Sequence, residues 1–234
     1  MKLLAFETAT EGCSVAVLVD GDVRERFEVA PRRHAELALP WAGQLLAEAG
    51  VAKAQLDAIA VGRGPGAFTG VRLAIAIAQG IALALDRPVV AVSTLAALAA
   101  RAPEDGPARI FAAIDARMGE VYSAAFERRG GGLVALSREI VCAPDAVALP
   151  AGDAPWQGVG TGFAAGEGAL PAQLGSRLSA VDAGALPHAA DVARLGAAAF
   201  ARGEALPPER VEPAYLRDNV ALTLVEQQAL RDSR

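Results

Sequence analysis

Short apolar runs broken by turn residues open this chain. In "KLLAFETATEGCSVAVLVDGDVRERFEV", Leu3–Phe6 reads as a buried strand and Thr8 to Gly12 as a polar turn. Ser14–Val19 is a second strand, Asp20-Gly21 a hairpin turn and Val23–Val29 a third strand. The rhythm then changes to a helical one. Leu37, Trp41, Leu45 and Leu46 recur at helical spacing, and Gly50 is placed to end the helix. Pro40 lies inside this pattern and predicts a kink or a later start. "LDAIAVGRG" and "PVVAVST" read as strands on either side of an apolar run, Val71 to Leu85, in which Arg72 and Gln79 are the only polar side chains. An alanine-rich helix comes after the second of these strands.

Pro103, Gly106 and Pro107 mark a boundary, and the segment beyond it repeats the opening pattern. "LLAFETATEGCSVAVL" and "FAAIDARMGEVYSAAF" each carry a strand ending in an acid (Glu7, Asp115), a polar turn ending in glycine (Gly12, Gly119) and a second strand. The pattern predicts α/β architecture with two similar, duplicated domains, residues 1–103 and 104–234. The last helix, from Ala189 to Arg202, is a candidate to pack back on the first domain. A chance similarity of two hairpins is the alternative.

Composition narrows the function. The 234 residues are 53% hydrophobic and 21% charged, an ordinary globular balance with real cores. The apolar start meets Glu7 at once and lacks a basic region and cleavage site, and the fifteen-residue apolar run falls short of a bilayer span; both predict a cytoplasmic protein with no membrane partner. A net charge of -5 argues against a stand-alone nucleic-acid binder. Cys13 and Cys142 form no CxxC pair, and His34 and His188 form no HxxxH or HExxH, so no metal site is expected. His34 follows Arg32 and Arg33 at a helix start and is expected to be exposed. No nucleophile elbow is present, and neither cysteine has a histidine near it in sequence.

Three turns are candidates for ligand contact. Thr8-Ala9-Thr10 after an acid-ended strand suits backbone N–H groups and hydroxyls gathered round a phosphate; a plain hairpin explains it equally well. "GRGPGAFTG" lacks the GK[ST] ending and any nearby lysine, and Pro65 interrupts a dinucleotide fingerprint. Thr69 can cap the helix that starts there. "GVGTGF", with Gly160 and Gly162, is a second glycine turn that would face the Thr8 turn across a cleft.

"AFETATEGCSVAVL", "RRHAELALP", "AVGRGPGAFTGVRLAIAIAQGIALAL", "VSTLAALA", "AAIDARMGEVYSAAF", "GVGTGF" and "EPAYLRDNVA" occur in this order over nearly the whole chain. Together they closely resemble the bacterial TsaB (YeaZ) family of tRNA threonylcarbamoyladenosine biosynthesis proteins. The resemblance implies an actin-like ATPase (sugar kinase/actin) fold in two similar domains. It also implies a partner, the paralogue TsaD, which carries a metal-binding histidine pair and transfers threonylcarbamoyl to adenosine 37 of ANN-decoding tRNAs. The corresponding helix here has only His34.

The implied role is a non-catalytic scaffold that pairs with TsaD, is joined by the ATPase TsaE, forms a homodimer alone and meets tRNA only through the complex. No cofactor is required of this subunit, and ATP or ADP belongs to the complex. Thr8, Thr10, Gly160 and Gly162 would be vestigial nucleotide loops. Glu7 stands where relatives usually have Asp, and its longer carboxylate is expected to reach further into the cleft. An independent kinase-like ATPase or endopeptidase is the alternative. The partner interface is expected on Thr69, Arg72, Ala74, Ile75, Ala78, Gln79 and Ala82, whose small side chains with Gly80 admit another helix. Leu73, Ile77, Ile81 and Leu85 would then face this chain's own core. The competing arrangement buries the helix between the chain's own sheet and the Leu37–Ala49 helix.

Overall fold

The computed structural model describes residues 1–217. Two sheets form the frame. In the first, β1 (Lys2–Glu7), β2 (Gly12–Val19), β3 (Asp22–Val29), β4 (Ala58–Gly62) and β5 (Val89–Val92) lie in the order β3-β2-β1-β4-β5. β2 runs antiparallel to β1 and to β3, whereas β4 and β5 run parallel to β1. The second sheet holds β6 (Arg109–Arg117), β7 (Glu120–Arg129), β8 (Gly132–Ala135), β10 (Trp156–Val159) and β11 (Leu178–Asp182), with β9 (Ile140–Cys142) also on β7. Its order, β8-β7-β6-β10-β11, matches the first strand for strand, and the directions match too. The repeated acid–turn–strand units head two copies of one topology.

Strand alternation divides the first sheet into unlike faces. Leu4, Phe6, Val15, Val17, Ile59 and Val61 form a bulky face under α1 (His34–Glu48) and α2 (Phe68–Leu85). Gly50, at φ +65°, comes after the end of α1 as a left-handed glycine should. Pro40 sits within α1 and neither ends nor delays it. It is exposed, so the Glu36 carbonyl that its missing N–H leaves free is on the wet side of the helix.

The opposite face is lined with Ala5, Ala16, Ala58 and Ala60 beside Leu3, Leu18, Val90 and Val92. It is covered by α5 (Ala189–Ala201), which the chain supplies only after completing the second sheet. Alanine against alanine brings helix and sheet close: a Cβ on Gly196 would stand 2.9 Å from the Cβ of Ala60. Past α5 the chain stays with the first domain. Leu206 bridges β5 at Val89, and Val211 joins the core under α1 and α2. A division at residue 104 would therefore leave the first sheet with one bare face; the first domain is discontinuous in sequence.

The second sheet buries Ile110, Ile114 and Phe126 against Leu95, Leu98 and Ala99 on and beside α3 (Thr94–Ala99). Its other face buries Phe111, Trp156 and Phe163 with Leu170 and Leu174 of α4 (Ala169–Leu174).

Polar contacts fix the start of α5. Ser14 donates to Glu25 Oε1 (2.6 Å), the Ala190 amide donates to the same oxygen (2.9 Å), and the Ala189 amide donates to Ser14 Oγ (2.9 Å). His188 Nδ1 donates to Glu25 Oε2 (2.9 Å), and its ring stacks on Phe27 at 4.0 Å. Burial would raise the Glu25 carboxyl, but hydrogen bonds from His188, Ser14 and the Ala190 amide outweigh it and hold the pKa below the ordinary value. A lowered carboxyl contributes stability above its unfolded pKa and loses it as pH falls through the folded one. Glu25→Ala is expected to destabilise the chain by roughly 2–3 kcal/mol at neutral pH, by urea denaturation, with the deficit shrinking as the pH is taken below the carboxylate range.

Candidate functional site: the interdomain cleft and the outer face of α2

The turn after β1 is built inward. Glu7 is fully buried; the Ala9 amide donates to its Oε1 (2.7 Å) and the Thr94 hydroxyl to its Oε2 (2.9 Å). A side chain at Gly62 on β4 would overlap this carboxylate, so glycine is what lets the acid lie against the sheet. The expectation that Glu7 extends into a cleft is corrected: the carboxylate turns into the first domain, between β1, β4 and α3. Thr8 is equally buried, and its hydroxyl donates to the Gly70 carbonyl of α2 (2.7 Å). A Cβ on Gly70 would overlap the Thr8 carbonyl, so the turn and the helix start are in direct backbone contact. Neither Thr8 nor Glu7 presents an atom to a phosphate here. Thr10 lines the cleft, and its hydroxyl accepts from the Gly12 amide (3.3 Å). His34 is half-buried, not exposed, because its Nε2 donates to the Thr10 carbonyl (3.0 Å).

The facing turn is spent in the same way. Gly160 adopts φ +107°, and a side chain there would overlap the Ala113 carbonyl of β6. A Cβ on Gly162 would come within 2.7 Å of the Ala113 Cβ. Their missing side chains make room for β6 rather than for a ligand. Asp115, the counterpart of Glu7, receives the Arg117 amide and guanidinium (both 2.8 Å) and so braces its own turn. The Asp115 amide donates to Thr161 Oγ1 (3.1 Å).

Between the domains lies a cavity of about 700 Å³, within the range of small-ligand pockets. Three of its arginines are committed to the chain itself. Arg72 donates to the Phe68 carbonyl (3.1 Å) and the Tyr215 hydroxyl (2.7 Å), Arg117 pairs with Asp115, and Arg217 pairs with Glu120. Among the described residues no group of three or more His, Cys, Asp or Glu side chains is placed to hold a metal ion.

Helix α2 has eighteen residues, starting three before the apolar run. Its N-cap is Ala67, with no side-chain cap, and Thr69 lies exposed in the first turn instead of capping. Among the described helices it alone is long and apolar enough, by length and composition, to cross a membrane. Here one side of it fills the core of the first domain. Ile77, Ile81 and Leu85 pack on the chain's own core as expected, but the residues expected to meet a partner lie inward as well. Ala74, Ala78 and Ala82 are 0% exposed and Ile75 is 5% exposed, all within the core under α1 and α2. The sheet below presents Leu4, Phe6 and Val61, and Ala74, Ala78 and Ala82 let α2 settle closely on it beside Val71 and Ile75. Ile77, Ile81 and Leu85 flank that contact, and Leu73 is half-exposed. Gln79 is taken by the chain's own C-terminal segment, donating to the carbonyls of Pro208 (2.9 Å) and Val211 (3.3 Å).

The outward face carries Phe68 (66% exposed), Ala76, Gly80, Leu83 (63% exposed) and Ala84, beside Thr69 and Arg72. Sequence periodicity could not separate the two faces, because both are apolar.

Burial pushes the Glu7 carboxyl up to about 7 from an ordinary 4.5, against the opposing pull of the Ala9, Thr94 and Thr8 hydrogen bonds. A raised carboxyl favours the folded state below its unfolded pKa, and that advantage is lost as pH rises through the folded value. Between about pH 4 and pH 8, the stability difference between wild type and Glu7→Gln is expected to move by about 3 kcal/mol in favour of the variant. Paired denaturation curves across that range measure it.

Most of the chain is covered by similar proteins. The family model described as "TsaD: tRNA N6-adenosine threonylcarbamoyltransferase" matches residues 27–224. The tRNA threonylcarbamoyladenosine biosynthesis protein TsaB of Escherichia coli (strain K12) is 41% identical over 230 residues, 94% of this chain and 96% of that protein. Its Haemophilus influenzae namesake is 39% identical over 231 residues, 94% of this chain and 95% of the other. The solved structure of YeaZ from Pseudomonas aeruginosa superposes with a TM-score of 0.86 at 49% identity, covering 92% of this chain and 99% of its own. With its duplicated actin-like fold, the chain belongs to the TsaB (YeaZ) family of tRNA threonylcarbamoyladenosine biosynthesis proteins.

Proposed function

We propose that this chain is a non-catalytic accessory subunit in making threonylcarbamoyladenosine at position 37 of ANN-decoding tRNAs, and that it works by binding and activating TsaD in the cytoplasm. The observation that carries the reading is the outward face of α2. Phe68 and Leu83 are large, apolar and mostly exposed, with small residues between them. Covering each large side chain is worth about 1.5–3 kcal/mol, and Ala76 and Gly80 allow a second helix to come close. TsaD is the proposed cover, with TsaE joining the pair, and a second copy of this chain covers the face when TsaD is absent. tRNA meets this subunit only through the complex. The subunit itself needs no cofactor, and ATP or ADP acts elsewhere in the assembly. The inward packing of Glu7, Thr8, Gly160 and Gly162 supports that view, because each is satisfied by the chain's own atoms.

The interdomain cavity favours one other reading, an independent kinase-like ATPase. ATP hydrolysis by the purified chain alone, abolished by Thr161→Val, would replace the scaffold reading with that one.

Gly80 gives a direct test. A Cβ there meets nothing within 4 Å, and replacing a mid-helix glycine raises helix propensity by up to about 1 kcal/mol. Gly80→Arg should therefore fold normally while planting a guanidinium on the outer face. It is expected to lose co-purification with TsaD, cut tRNA modification in the reconstituted system, and sediment as a monomer. Normal TsaD binding by a folded Gly80→Arg chain would falsify the interface. Ala78→Arg behaves differently: it forces a charge into the core and is expected to cost roughly 3–5 kcal/mol in a thermal or urea melt, partner or no partner.

A further inference from the structure

After α5 the chain does more than complete the first domain. Gln79 holds Pro208 and Val211 under α2, and the Ala214 amide then donates to the Arg63 carbonyl in the β4–α2 loop (2.8 Å). Tyr215 lies against Arg72, whose guanidinium stands 5.0 Å from the Tyr215 ring and 3.3 Å from the Phe68 ring. Arg217 then crosses to the second domain. It donates to the Ala116 carbonyl (3.2 Å), pairs with the Glu120 carboxylate, and lies 3.7 Å from the Met118 sulfur. Pro213 to Arg217 thus form one wall of the interdomain cavity.

The Arg217 side chain is only 19% exposed, so this pair is better shielded than an ordinary surface salt bridge. Its target is a turn under load. Arg117 and Met118 hold φ of +62° and +56°, a left-handed conformation that costs a residue with a side chain about 1–2 kcal/mol. Asp115 braces that turn from within, and Arg217 braces it from the other domain. A second tie starts at the residue that holds the strap. The Arg63 side chain donates to Glu139 Oε2 of the second domain (3.0 Å), and Glu139 also accepts from the Ser93 hydroxyl that caps α3.

We propose that Pro213–Arg217 is a strap that holds the interdomain cleft closed, with Tyr215 anchored on Arg72 and Arg217 as the clasp on the β6–β7 turn. The cleft width is then set by the C-terminal segment as well as by the two chain crossings. The anchor shares the Arg72 guanidinium with Phe68, so the strap and the outer face of α2 meet at one side chain. The clasp at Arg217 touches only the second domain and not that face.

The test uses the full chain with spin labels at Ala35→Cys and Ala164→Cys, exposed positions in the two domains, in a Cys142→Ser background; Cys13 is buried. Double electron–electron resonance should give a single narrow distance for the parent. Arg217→Ala should give a longer, broader distribution, and amides 117–120 should exchange roughly tenfold faster or more, the effect of losing one charge-assisted hydrogen bond. Should Arg217→Ala fail to fold, Arg217→Lys keeps the charge but replaces the planar guanidinium with a single ammonium on a shorter side chain, and should widen the distribution in part. A folded variant whose distances and exchange rates superimpose on the parent overturns the strap.

Discussion

One buried carboxyl organises the first domain. Glu7 ties the turn after β1 to itself through Ala9 and to α3 through Thr94, and it lies on Gly62 of β4. Thr94 in turn receives the Gly64 amide (3.2 Å), at the loop that launches α2. An ionisable group with no access to water is tolerated only when its oxygens are hydrogen-bonded, so these segments must come together in one arrangement. That arrangement sets where α2 begins and therefore which of its faces looks outward. It also sends α3 towards the second sheet. The turn after β1 is thereby packed against the chain's own atoms.

What could be read in advance depended on physical range. Short apolar runs bounded by turn residues revealed the strands of the first sheet, and the repeated acid, turn and glycine pattern at Glu7 and Asp115 revealed the duplication, which the two matched sheet orders carry through. Gly50 ended its helix as its lack of a side chain suggests. Pro40 did not break α1, because an exposed proline leaves its free carbonyl on the wet side. The faces of α2 were not legible, since period alone cannot rank two apolar stripes. The decision lay in the sheet residues Leu4, Phe6 and Val61, on which Ala74, Ile75, Ala78 and Ala82 pack. Glu7 was misjudged for a related reason: its reach depends on the glycine beside it on β4, not on its own length.

The site residues show how one architecture can use a glycine or threonine turn for close packing. Thr8, Gly160 and Gly162 keep the spacing of a ligand loop, yet their hydroxyl or missing side chain is used for close packing. The freedom that remains lies outside, where Phe68 and Leu83 are mostly exposed. Family membership and this exposed face point the same way, towards work done through contact with another protein.

The position of α5 has a consequence for how the molecule is made. The alanine-lined face of the first sheet waits for a helix that lies beyond the entire second sheet. During synthesis the N-terminal strands must emerge, pair and then stand half-covered while more than a hundred further residues are added. The second sheet, with α3 and α4 around it, has its covering helices before α5 is made. The first half of the chain is therefore the last to be finished, and a chain cut short before residue 189 keeps an open, weakly hydrophobic side. Alanine on that face is a safer lining than leucine for such a wait, since a small-residue surface exposes less apolar area to other nascent chains.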